Sequence, residues 1–192
     1  RVYSLHLSAV SSWERLMQID RLLEFHQNVH ISGGAWTGDG IQADPIETQN
    51  FLDQDWNNGE VPPPMPMEAI VMGDFNDGPG LDEYEKLFGR SGIEIVLGEA
   101  GQTELYDPHA RLAVSRRVGA MPVTARFWIH SEKRYLQALL DYIMVSPDLL
   151  ASKPDWRIWH PFDDPVCYRT IELREALLTA SDHFPVSIDI DL

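Results

Sequence analysis

Ala69-Ile70-Val71-Met72-Gly73-Asp74-Phe75-Asn76 is the stretch on which the reading of this chain turns. Its first four residues form an apolar run that reads as a buried strand, and a carboxylate and a carboxamide follow the glycine two residues apart. Polar groups at the carboxyl end of a strand can share one task, holding a water, a phosphate oxygen or a hard metal ion. Taken alone, an Asp in such a place is more often a turn or cap residue than a ligand.

Three other segments repeat the arrangement of polar groups at strand ends. His6-Leu7 closes the alternating run from Val2, Asp141 opens a strand within Leu140-Asp141-Tyr142-Ile143, and Ser181-Asp182-His183 directly precedes a final strand from Val186 to Ile190. Strand ends that converge on one mouth of a sheet would bring together Asp74, Asp141, Asp182, Asn76, His6 and His183, held by rigid apolar strand bodies. Oxygen donors of this kind favour Mg2+, Mn2+ or Ca2+ over zinc. A His beside carboxylates exchanges protons near neutral pH. Each residue also has a plainer reading: Asp182 as a turn cap, His6 as a satisfied strand histidine, Asp141 as the partner of a nearby Arg126 or Arg134. His26, His30, His109, His130 and His160 take surface or structural roles by default.

Composition narrows the classes. A chain of 192 residues with 44% hydrophobic content can bury a sizeable core and is expected to form one domain. Its 15 Lys and Arg against 30 Asp and Glu give a net charge of -15, which opposes non-specific attraction to polyphosphate or anionic membrane. A bound divalent cation would reverse that field locally, so an enzyme stays open where a nucleic-acid binding module is disfavoured. The single Cys167 excludes an intramolecular disulfide and a cysteine-rich zinc site, and it permits a reducing, cytoplasmic compartment. Secretion stays open as well, because no initiator Met is present and a leader could precede Arg1. No apolar stretch approaches a membrane span. Nothing in the sequence sets the oligomeric state.

Along the chain, strands alternate with helices. Ser11 and Glu14 have capping-box spacing, and Trp13, Leu16, Ile19 and Leu23 recur at helical period to about Phe25. Residues 32 to 68, rich in Gly and Pro, read as a surface excursion with a short helix from Ile46 to Trp56. A turn at Asp77-Gly78-Pro79-Gly80 leads to a short helix from Leu81 to Phe88, stopped by Gly89. Further strands are predicted at 126–129, 141–145 and 156–159, and a helix at 172–178. Arg116, Arg117, Arg126, Lys133 and Arg134 form the only basic concentration, readable as a grip on phosphate or as a solvated loop face. Trp36 and Trp56 can stack on a base, contact lipid or pack their own loop down.

Taken together, the motifs resemble the endonuclease/exonuclease/phosphatase superfamily, the group of deoxyribonuclease I, exonuclease III-type abasic-site endonucleases, neutral sphingomyelinases and inositol polyphosphate 5-phosphatases. His6-Leu7 is similar to that family's strand-end His-Leu, with Arg15 and Gln18 at its Arg-x-x-Gln spacing. Gly73-Asp74-Phe75-Asn76, Leu140-Asp141-Tyr142-Ile143 and Ser181-Asp182-His183-Phe184-Pro185-Val186 are similar to its three later signatures, in the family's order. The resemblance implies an α/β (α+β) fold, a four-layer sandwich of two mainly antiparallel β-sheets flanked by helices. It implies a metal-dependent phosphoesterase acting by in-line water attack on nucleic acid, phospholipid or a small phosphate ester, with Mg2+, Mn2+ or Ca2+. Asp74 would orient or deprotonate the water, Asn76 would hold the phosphate or metal shell, and Asp182 would join Asp74 in binding metal. Asp141 would accept the Nδ1 proton of His183, and His6 would stabilise charge or protonate the leaving oxygen. Asn76, Arg126 and Arg134 are the candidate substrate contacts.

One departure qualifies the likeness. The family's first strands, bearing an Asn and a Glu metal ligand, have no counterpart in these residues, and Gln18 and Glu24 cannot replace them by order. The expectation is therefore a fragment of a longer domain that binds metal weakly by itself. The alternative is a catalytically inactive family member or fragment serving as a binding module.

Overall fold

The computed structural model describes residues 1–32, 68–78, 92–98, 105–115, 119 and 121–191. The short helices expected at 46–56 and 81–88, the turn beyond Gly78, and Trp36, Trp56, Arg116 and Arg117 lie outside the described residues. Two compact units partition the chain: Arg1–Ile19 with Glu68–Leu192, and Asp20–Met67.

In the first unit the apolar run becomes the centre of a three-stranded sheet. Strand β2 (Ile70–Asp74) lies between β1 (Val2–His6), which runs parallel to it, and β5 (Asp141–Val145), which runs antiparallel. Gly73 faces Leu5 on one side and Tyr142 on the other. Its φ of +139° and a Cβ that would sit inside the radius of the Leu5 carbonyl oxygen make glycine obligatory there. Val71, Phe75, Met144 and Val145 are fully buried, and Phe75 meets the Tyr142 ring edge-on at 5.4 Å. The Tyr142 hydroxyl lies 2.9 Å from the Asp77 carbonyl and 2.8 Å from that of Leu139, so the loop after β2 is tied to the start of β5.

Ser11 caps the long helix Ser12–Ser32 as its spacing predicts, its Oγ accepting from Glu14 N–H at 3.3 Å. The Glu14 carboxylate does not return to Ser11; it takes the Ser8 hydroxyl at 2.7 Å. The helix also runs past Phe25 to Ser32, because no glycine or proline interrupts the chain before Gly33-Gly34. In the second unit, its described residues include a pair between Arg21 and Glu24 and the Arg21 guanidinium 4.3 Å from the Phe25 ring.

Two antiparallel pairs complete the described strands: the hairpin of β3 (Ala125–Ile129) with β4 (Arg134–Ala138), and β6 (Asp155–Ile158) with β7 (Val186–Asp189), which two helices separate in the chain. The fold is the expected mixed α/β class, with three antiparallel ladders and one parallel. Strand β4 was not legible in the sequence, since Arg134-Tyr135-Leu136-Gln137-Ala138 buries only its last residue. Three short helices also escape the periodicity: Gly92–Leu97, Pro108–Val114 and Pro165–Arg169. Caps hold the last two. Asp107 accepts from His109 N–H and Ala110 N–H and also from Ile143 N–H of β5, while Asp164 accepts from Val166 N–H and Cys167 N–H.

Candidate active site

The pairing register brings the polar strand ends into one row. His6 on β1 is opposite Asp74 on β2, and Asp74 is opposite Asp141 on β5. His183 enters from outside the sheet, on an extended stretch before β7. Its backbone is fixed by a bridge to Ala125, by Arg126 N–H donating to Asp182 O at 2.7 Å and by Phe184 N–H donating to Thr124 O at 2.6 Å. The result is a hydrogen bond of 2.9 Å between His183 Nδ1 and Asp141 Oδ2. An ionised carboxylate can only accept, so Nδ1 carries the hydrogen and Nε2 is left for other work.

Asp74, Asp141 and His183 each present an atom within 4.8 Å of the other two. His6 Nε2 is 3.7 Å from Asp74 Oδ2, close enough for charge attraction and too long for a good hydrogen bond. Asn76 has a φ of +48°, and its N–H donates to Asp74 Oδ1 at 2.8 Å. Its carboxamide Nδ2 donates to Leu7 O at 2.9 Å, pinning the loop after β2 to the end of β1. That leaves the Asn76 Oδ1 to accept from a water or ligate a cation, and the second Nδ2 hydrogen to donate to a phosphoryl oxygen. Arg15 and Gln18, the spaced pair on the long helix, clamp the same corner: both bond the backbone of Ser8 at 2.9 Å.

Electrostatics explain how the pair behaves. Burial alone pushes the His183 imidazole down, but the hydrogen bond and charge of Asp141, with Asp74 and Asp182 behind it, outweigh burial and leave it raised. Asp141 is also raised, first by burial and further by the Asp74 charge, against hydrogen bonds from His183 and Thr124. A simple ion pair would lower the carboxylate. The raised direction stands because burial, the largest effect, disfavours the ionised carboxylate, and the Asp74 charge adds to it. A hard cation would favour the ionised form of both acids, and the two carboxylates, an imidazole and the Asn76 carbonyl oxygen fit such an ion by charge and donor type.

Other candidates lie elsewhere. Asp182 is exposed and is not part of the group of Asp74, Asp141 and His183, although its charge reaches the imidazole. Neither arginine considered for Asp141 pairs with it. Arg134 pairs with Glu132 on the β3–β4 turn, and Arg126 lies 4.0 Å over the Tyr135 ring. Thr124 is the contributor that the sequence did not disclose. It is fully buried, and its hydroxyl accepts from Leu140 N–H at 2.9 Å and Asp141 N–H at 3.0 Å while its backbone holds Phe184. Its only sequence signal is a lone Thr just before a strand.

A family model described as the Endonuclease/Exonuclease/phosphatase family matches residues 21–183. That span includes Asp74, Asn76, Asp141, Asp182 and His183 and begins after His6, Arg15 and Gln18. No curated protein and no solved structure matches the chain.

Proposed function

The chain belongs to the endonuclease/exonuclease/phosphatase family, a superfamily of hydrolases acting on phosphoester bonds, and from that premise we propose that it cleaves a phosphoester by in-line attack of water at the Asp74, Asp141 and His183 cluster. The observation that carries this reading is the 2.9 Å bond of His183 Nδ1 to Asp141, with Asp74 within 4.8 Å on the neighbouring strand. Asp141 fixes the imidazole ring and its tautomer, so that Nε2 points its lone pair at the reacting water or, once protonated, its N–H at a phosphoryl oxygen. Asp74 orients the water through a carboxylate oxygen, and its partner oxygen is anchored by Asn76 N–H. His6, most exposed of the four, neutralises developing charge or protonates the leaving oxygen.

Asp74, Asp141 and Asn76 through Oδ1 are the residues that would hold a divalent cation beside His183, with the exposed Asp182 adding its charge. Mg2+ or Mn2+ there supplies charge neutralisation at the phosphoryl oxygens and a more acidic water. The substrate is a nucleic acid, a phospholipid or a small phosphate ester.

The test is hydrolysis of bis-p-nitrophenyl phosphate with Mg2+ or Mn2+ by the protein and by its Asp74→Ala and His183→Ala variants. Loss of activity in both is expected, and wild-type rates in either would overturn the assignment. Line broadening of the His183 ring resonances by Mn2+ checks the cation separately from turnover.

A further inference from the structure

Of the three substrate sources just named, nucleic acid is the one whose polymer carries a flat aromatic ring on every unit. The β3–β4 hairpin has a face suited to such a ring. Register alternation turns Ala125, Phe127 and Ala138 inward, where they pack with Leu140, and gives the opposite face to Arg126, Trp128, Tyr135 and Gln137. Trp128 and Tyr135 remain 42% and 51% exposed, with ring centroids 5.0 Å apart. Those two rings pair edge-to-face, 70° between their planes, and the Arg126 guanidinium lies 4.0 Å from the Tyr135 ring. At the Arg126 end lies a groove of about 300 Å³, lined by Arg126, Tyr135, Leu178, Ser181, Asp182 and Phe184 among others.

The charges in that groove select its occupant. A bare phosphate or a phospholipid headgroup would meet Arg126 but also the Asp182 carboxylate, which repels it. A nucleobase suits both, because its edge carries acceptors for a guanidinium and donors for a carboxylate, and its face can lie on the Arg126–Tyr135 pair. A duplex hides its base faces, and the net charge of -15 opposes its backbone. The groove is lined by Ser181, Asp182 and Phe184, whereas His183, between them, turns to Asp141. Ring and attacked phosphate would therefore stand on opposite sides of one strand. That separation suits a base on a neighbouring nucleotide and not the one carrying the attacked phosphate.

We propose that the Arg126–Tyr135–Trp128 face and its adjoining groove bind an unpaired nucleobase, making single-stranded nucleic acid the substrate class of the site; the proposal rests on the phosphoesterase reading above. The test is fluorescence anisotropy in EDTA with fluorescein-labelled oligothymidylate of four residues and with an abasic oligomer of equal length and charge. The thymidylate should bind about tenfold more tightly, the scale of one base–aromatic stack. Tyr135→Ala should erase the difference, and Tyr135→Phe should keep most of it. Equal affinity for the two oligomers overturns the proposal, as does a Tyr135→Ala variant that keeps the preference. Thymidine monophosphate binding as tightly as the tetramer overturns it too. His183→Ala should weaken both oligomers alike. If it changes neither while the base preference survives, the stacking face stands and the phosphoesterase reading falls.

Discussion

Replacing Thr124 by Val removes one hydroxyl and should loosen both the fold and the dyad. The two side chains have nearly the same shape, so no cavity opens, but Leu140 N–H and Asp141 N–H lose their common acceptor. A buried donor left without a partner costs about 1–3 kcal/mol. Leu140 is buried and Asp141 half-buried, so the first falls within that range and the second near its lower end, for a combined loss of about 2–4 kcal/mol. With an m-value of about 2 kcal/mol per M for a chain of this size, the urea midpoint should fall by about 1–2 M. Thr124→Ser keeps the acceptor and loses one buried methyl, for about 1 kcal/mol. Equilibrium unfolding in urea followed by tryptophan fluorescence measures both. The Val variant should also push the Asp141 carboxyl further up, since one of its hydrogen bonds is gone, which carbon-detected NMR titration would follow. A Val variant within 0.5 kcal/mol of wild type, or a Ser variant as damaging as Val, refutes the reasoning.

Gly73→Ala should leave no stably folded protein, because its Cβ would meet the Leu5 carbonyl between two paired strands; a cooperative urea transition at the wild-type midpoint would contradict this. Asp141→Asn should lower the His183 imidazole from its wild-type position, since burial persists when the partner's charge is removed; proton NMR of the ring reads the direction, and an unmoved or higher value refutes it. In the wild type the raised imidazole adds stability that is full below its unfolded pKa and is lost as pH rises through the folded value. Asp164 titrates the other way: Arg157, bonded at 2.7 and 2.8 Å, holds its carboxyl well below the ordinary range. Its contribution is present above the unfolded pKa of about 3.9 and is lost as pH falls further. Asp164→Asn, which keeps a capping oxygen, should thus destabilise at pH 6 and converge on wild type toward pH 2 in thermal melts.

The sequence alone was enough to place the family. Gly73-Asp74-Phe75-Asn76, Leu140-Asp141-Tyr142-Ile143 and Ser181-Asp182-His183 announce a family because each places its polar residue at the end of an apolar strand, and period-two patterning is local information. The same locality hid β4, whose residues are mostly exposed, and the helices Pro108–Val114 and Pro165–Arg169, which hold their place by caps and contacts, not by an apolar stripe. Tertiary structure alone decided who meets whom. Register across β1, β2 and β5 lined up His6, Asp74 and Asp141, while Thr124 and Ala125 carried His183 across to Asp141. It also gave Arg126 to Tyr135 and Arg134 to Glu132 in place of Asp141. Hydrogen bonds between residues far apart in sequence leave no periodic trace, and so the partners of these charges could be read only in three dimensions.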